Sequence, residues 1–322
     1  MRIFEFARYG LMSCAAAALL AGCGASTPAG TPARTAVGQA RPGTWMSANT
    51  SSANLVYIGE GSKVLVFSFT GKQVGELTGL SGTGAICSDS QGNVWVGYDG
   101  SLLEYNHGGT VPIAQLYLQP YYIPRTCAVD PTTGDIAVVE YSYQSQSHPE
   151  NVAVYQNIYE PPQTYSDVDF FYSYLGYDDH GNLFVNGTGG HRGQVPLFDE
   201  LPQGGSSFER LSFDVSFRTI GGLQWDGQYL ALGDAGNHVV YQVSVSNGYG
   251  TTQSTTHFHN WRDKGAVPFA IEDGIIVFAF NRRQVGYYDF PAGGKAVRLI
   301  GLTSTAGITI SVPPTPRRGG SK

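Results

Sequence analysis

Apolar and aromatic residues come in short runs of three to six between residues 51 and 312, parted by polar turns. Such runs are too short for helices and lack a 3.6-residue period, so they predict strands. One run leads into each turn, at 84–88, 125–129, 173–177, 221–224 and 267–271. A second follows it, at 94–96, 136–139, 183–185, 229–232 and 275–278, and a third stands at 102–105, 152–155, 196–199, 239–243 and 285–289. The turns share a form, Asp89-Ser-Gln-Gly-Asn93, Asp130-Pro-Thr-Thr-Gly-Asp135 and Asp178-Asp-His-Gly-Asn182, with looser copies at Asp226-Gly227 and Asp273-Gly274. Their glycines are spaced 42, 47, 46 and 47 residues apart. A four-strand unit repeated at that period is a propeller blade, which buries its faces only against neighbouring blades.

The first unit lacks a piece. Runs at 54–58 and 64–67 match a second and a third strand, and no inner strand precedes them. The segment 301–311 resembles 79–88, so the strand at 307–312 is expected to complete the first blade. The predicted fold is therefore all-β, a six-bladed β-propeller over 51–312 closed by its C-terminal strand. Closure leaves no blade edge or inner face unpaired at the seam.

Composition agrees. The 322 residues include 43 Gly, 17 Pro, 20 Tyr and 16 Phe, which suit turns and strands. A formal net charge of −6 with no basic stripe argues against non-specific nucleic-acid binding.

The N-terminus reads as an address. Arg2 and Arg8 precede an apolar run at 9–20, too short to span a bilayer, ending in Leu20-Ala21-Gly22-Cys23. These four residues resemble the lipobox of bacterial lipoproteins. The resemblance implies a signal peptide at 1–22, lipidation of Cys23, and membrane contact through that lipid alone. Gly24 follows the cysteine where an Asp would resemble an inner-membrane retention signal, so outer-membrane or surface placement is expected. Residues 23–50 and 313–322, rich in small residues and proline, are expected to be a flexible linker and a disordered tail.

The Asp-x-x-Gly-Asn-hydrophobic turn makes 51–312 resemble the NHL-repeat, SMP-30 and TolB-like propellers. Segments such as Cys87-Ser-Asp-Ser-Gln-Gly-Asn-Val-Trp-Val96 and Gln224-Trp-Asp-Gly-Gln-Tyr229 look like a set of uncharacterised bacterial lipoprotein propellers. SMP-30-like enzymes hold a metal with acids and amides at the channel mouth. The corresponding strand entries here offer Thr83, Arg125, Tyr174, Ile220 and Pro268, with no acidic set.

In this topology the loops entering inner strands share a face with the loops between second and third strands; the Asp turns occupy the opposite face. Ligands of propellers gather at the entry face. Its candidates are Tyr121, Tyr122, Arg125, Phe171, Tyr172, Tyr174, Arg218, Trp261, Arg262 and Arg282, with Tyr141 and Tyr143 on companion loops. Aromatic rings beside guanidinium groups suit an unidentified protein, peptide or glycan. The alternative for each is packing between blades. The repeated Asp residues are turn caps, too far apart to share one reacting atom. No catalytic residue, metal ligand or cofactor motif is assigned.

Cys87 and Cys127 fall on inner strands of adjacent blades, and export would permit a disulfide. Cys87 stands five residues before Gly92 and Cys127 seven before Gly134, and the unequal offsets favour buried thiols over a bridge. The expected function is a monomeric, non-catalytic binding module at the cell envelope. The alternatives are a metal-dependent lactonase- or lyase-like enzyme and a structural component of an envelope complex.

Overall fold

A computed structural model describes residues 37–144, 150–167, 170–189, 195–259, 267–280 and 283–314. All the regular elements among them are strands, in six sheets. Blade 1 holds β1 (Trp45–Met46), β2 (Leu55–Glu60), β3 (Lys63–Ser68) and β4 (Gln73–Leu77). Blade 2 is β5 (Ile86–Ser88), β6 (Val94–Tyr98), β7 (Ser101–Tyr105) and β8 (Pro112–Tyr117). Blade 3 is β9 (Tyr122–Val129), β10 (Ile136–Ser142), β11 (Asn151–Tyr155) and β12 (Gln163–Tyr165). Blade 4 is β13 (Phe170–Tyr177), β14 (Leu183–Gly189), β15 (Val195–Leu201) and β16 (Glu209–Arg210). Blade 5 combines β17 (Ser212–Phe213), β18 (Ile220–Trp225), β19 (Leu230–Asp234), β20 (Val239–Ser246) and β21 (Tyr249–His257). Blade 6 is β22 (Phe269–Glu272), β23 (Ile275–Phe280), β24 (Gln284–Asp289) and β25 (Arg298–Gly301), after which comes β26 (Ile308–Ser311).

The ring closes as the repeat requires. β26 pairs antiparallel with β2, Ile58 opposite Ile308 and Leu55 opposite Ser311, so blade 1 takes its inner strand from the far end of the chain. Glu60 adds a bond across the seam, accepting from the Thr303 N–H at 2.6 Å. Ser88 of blade 2 donates to the Ile310 carbonyl at 2.8 Å, tying the closing strand to its other neighbour.

Six buried apolar clusters lie between neighbouring blades. Alternation along one strand feeds two of them: Ile136 and Val138 face blade 2, while Ala137 and Val139 face blade 4. Both sides of a blade are buried, and this is why the second strands read as unbroken apolar runs.

One boundary differs from expectation. The segment read as linker to residue 50 packs on the ring from residue 37. Trp45 and Met46 pair with β4, Arg41 lies 4.2 Å over the Tyr98 ring, and the Val37 N–H donates to the Pro112 carbonyl at 3.0 Å. Long-range pairing holds this segment, which has no local strand pattern. Cys23, the signal peptide and 315–322 lie outside the described residues.

Candidate functional site

The Asp turns form one end of the ring. In blade 2, Asp89 Oδ1 accepts from the Gln91 and Asn93 N–H groups at 2.9 and 2.8 Å, and Oδ2 accepts from Asn93 Nδ2 at 2.9 Å. Blade 4 repeats all three bonds with Asp178, His180 and Asn182. Gly92 and Gly181 have φ of 81° and 83°, the left-handed conformation that glycine adopts without strain. Asp178, Asp179 and His180 place ligand atoms within 4.8 Å of one another. The turn already occupies both Asp178 oxygens, so this cluster is explained by folding.

The opposite end is irregular. Inner strands β9 and β13 have eight residues each, against three in β5 and four in β22 and β26. With β10 and β14 they form longer two-stranded ribbons toward the entry face. Each contains a bulge, placing Arg125 between the Thr126–Val139 and Pro124–Glu140 pairs and Ser173 between Tyr172 and Tyr174. A bulge bends its strand and re-aims a side chain.

On the blade 3 ribbon Tyr121, Ile123, Tyr141 and Tyr143 are all exposed. Ile123 lies opposite Tyr141, and the Tyr121 and Tyr143 rings meet edge-on with centroids 6.0 Å apart. Tyr141 continues the side of β10 that carries Ala137 and Val139 toward blade 4. Tyr121 has φ of 78°, a costly conformation for a bulky side chain. Phe171 is exposed on the blade 4 ribbon.

Other expected residues divide. Tyr122 is buried between blades 2 and 3 and Tyr172 between blades 3 and 4, so both are core aromatics rather than surface contacts. Along a strand the parity alternates, and Tyr121 and Ile123 take the outward positions around Tyr122. Arg125 is exposed at the channel mouth, 3.7 Å from Glu150. Tyr174 also lines the channel; burial raises its hydroxyl pKa, with Arg125 opposing. Its N–H donates to Asn186 Oδ1 at 3.2 Å, and Asn186 Nδ2 donates to the Gly221 carbonyl, anchoring Tyr174 to blade 5. Arg218 is exposed, its backbone N–H bonded to the Asp234 carboxylate at 2.9 Å. Trp261, Arg262 and Arg282 lie outside the described residues. Sequence reading missed Ile123, whose signal was its alternation with Tyr121. It also missed Glu150, which no local pattern marks.

The central channel encloses about 560 Å³. Arg125 and Tyr174 line it toward the entry face, Asp89, Asp179 and Glu272 toward the turn face. Cys87 and Cys127 form a disulfide in its wall, with Cα atoms 5.6 Å apart. The turns explain the bridge: the second is one residue longer, and Cys87 stands two residues before Asp89 but Cys127 three before Asp130, so the two take opposite parity. Cys87 pairs with Trp95, on the side of blade 2 that faces blade 3; Cys127 pairs with Val138, on the side of blade 3 that faces blade 2. Equal spacing from the turn Asp would have put the second cysteine at position 128, on the side of blade 3 that faces blade 4, unable to meet Cys87.

No protein-family model matches the chain, and no curated protein matches its sequence. Among solved structures it is similar to a protein of unknown function from Bacteroides caccae, with a TM-score of 0.55 and 12% identity over 81% of this chain and 99% of that one. It is also similar to the β-propeller domain of Myceliophteria thermophila Cps50 (Swd1), with a TM-score of 0.50 and 10% identity over 80% of this chain and 84% of that one. Both likenesses bear on the fold alone, and with the six sheets they establish a six-bladed β-propeller.

Proposed function

We propose that this chain is a lipid-anchored, non-catalytic binding module whose entry face docks a polypeptide at the cell envelope. One observation carries the reading: Tyr121, Ile123, Tyr141 and Tyr143 are exposed together on a ribbon that the repeat does not require. Clustered exposed apolar side chains mark interaction surfaces, and Tyr and Arg are enriched in protein interfaces. These four residues stand outside the channel lining, on a strand face suited to another protein's surface rather than to a small molecule. The backbone conformation of Tyr121 adds support, since such strain is retained where surrounding structure or function demands it. The lipobox-like ending at Cys23 supports the anchor, with outer-membrane or surface placement. The Asp-x-x-Gly-Asn turns support kinship with NHL-repeat, SMP-30 and TolB-like propellers.

A photo-crosslinking residue at position 143 in cells tests the docking face. The expected result is a discrete polypeptide adduct that is absent when the crosslinker replaces Gln91 on the turn face. Equal labelling from both positions, or none from 143, overturns the assignment. Cys23→Ala tests the anchor: the chain should leave the membrane fraction, and full retention there contradicts it.

A further inference from the structure

We propose that the entry mouth of the central channel binds a carboxylate carried on a short apolar stem. This site is separate from the blade 3 ribbon, whose four exposed residues do not line the channel. At about 560 Å³ the channel falls within the rough range of 300–1,000 Å³ typical of small-ligand sites.

Two bulges build the mouth. Arg125 is the unpaired residue of β9 and Ser173 that of β13, and both line the channel. A bulge re-aims a side chain, and here adjacent blades re-aim theirs into one opening. The Arg125 side chain is 47% exposed, so a ligand can reach it. Among the described residues its guanidinium closes no hydrogen bond; Glu150 Oε1, at 3.7 Å, is too far for one. Ser173 is half-buried, and its hydroxyl has no hydrogen-bond partner among the described residues. A planar fork of N–H donors beside a hydroxyl matches the two oxygens of a carboxylate.

Charge and lining set the rest of the ligand. Glu150 offsets part of the Arg125 charge, which suits a single carboxylate better than a phosphate dianion. The acids of the channel, Asp89, Asp179 and Glu272, stand toward the turn face. They repel an anion from that end, so the carboxylate is held at the entry mouth and its stem points inward. From Arg125 inward the wall continues with Ala128, Val129, Leu175 and Leu223, an apolar lining for a stem of a few carbon atoms.

Titration calorimetry of the full chain tests this with hexanoate and N-acetyl-leucine, against hexanol, N-acetyl-leucinamide and inorganic phosphate. At least one acid should bind saturably, and its uncharged counterpart about tenfold more weakly or less. Arg125→Gln should lose about tenfold or more of that affinity, and Arg125→Lys, which keeps the charge without the planar fork, several-fold. Glu150→Gln should tighten binding, because it removes the competing carboxylate; structural damage at the mouth would give the opposite sign. Tighter binding of N-acetyl-leucine marks a chain terminus as the source and of hexanoate a free acid, and either supports the site. These probes need no docked polypeptide, so their binding is read independently of crosslinking from position 143. No acid bound, equal binding of the uncharged counterpart, preference for phosphate, unchanged affinity in Arg125→Gln, or weaker binding in Glu150→Gln would each overturn the proposal.

Discussion

The two ends of the ring are built from the same strands and differ in kind. At the turn end, blades 2 and 4 repeat the same three Asp bonds around a left-handed glycine. At the entry end blades 3 and 4 depart from their neighbours, with eight-residue inner strands and exposed rings. A feature that recurs between inner and second strands is explained by what that connection must do, which is reverse the chain. The exposed rings on the blade 3 and blade 4 ribbons need a local reason, because exposed aromatic surface supplies no evident stability.

The contrast can be broken or sharpened by substitution. The largest effect belongs to the seam that both ends share. Deleting residues 303–322 removes β26, opening the edge of β2 and the inner side of blade 1. Loss of the cooperative thermal transition is expected, and a truncated chain melting like the full one would refute the closure. Next comes the channel wall between the ends. Replacing both Cys87 and Cys127 with Ala opens a loop of 40 residues, a loss of about 4 kcal/mol on the chain-entropy view, measurable by denaturant titration.

At the entry end, Tyr121→Ala with Tyr143→Ala should cost about 2 kcal/mol or more in partner binding and leave the melting temperature within a degree or two, because both rings are exposed. At the turn end the sign of the contrast reverses. Asp178→Ala leaves two N–H groups and the Asn182 amide without their acceptor, so stability should fall by roughly 1–2 kcal/mol with binding unchanged.

A pH dependence sharpens the contrast from inside the fold. Glu140 is fully buried beside the entry ribbon, and burial pushes its carboxyl up to about 7 against the Tyr155 and Asn151 bonds. The raised folded value means the native state holds a proton that the unfolded chain releases near 4.5. Stability therefore declines as pH rises from about 4.5 through about 7, and Glu140→Gln should flatten that decline in melts taken across the range. An unchanged slope would place the titration elsewhere.

The turn end was legible in the sequence because its cause is local: Asp89 and Gly92 are three residues apart and define each other's geometry. The closing strand was legible because 301–311 copies 79–88. Pairing with distant partners was hidden. Trp45 and Met46 carry no strand pattern and are held by Glu76 and Gly75, some thirty residues away. Parity was half hidden. Tyr121, Tyr122 and Ile123 are adjacent in sequence, and only the fold separates the outward pair from the core ring between them. The cysteine offsets were visible but required the facing of adjacent blades before they spoke for a bridge.

The most direct test of the division between the two ends is the crosslinking yield from position 143, measured below the melting points of all variants. Tyr121→Ala should lower the yield about tenfold with its melting temperature intact. Asp178→Ala should crosslink as wild type while melting earlier. Equal yields in the two variants, or a loss confined to Asp178→Ala, would contradict the account.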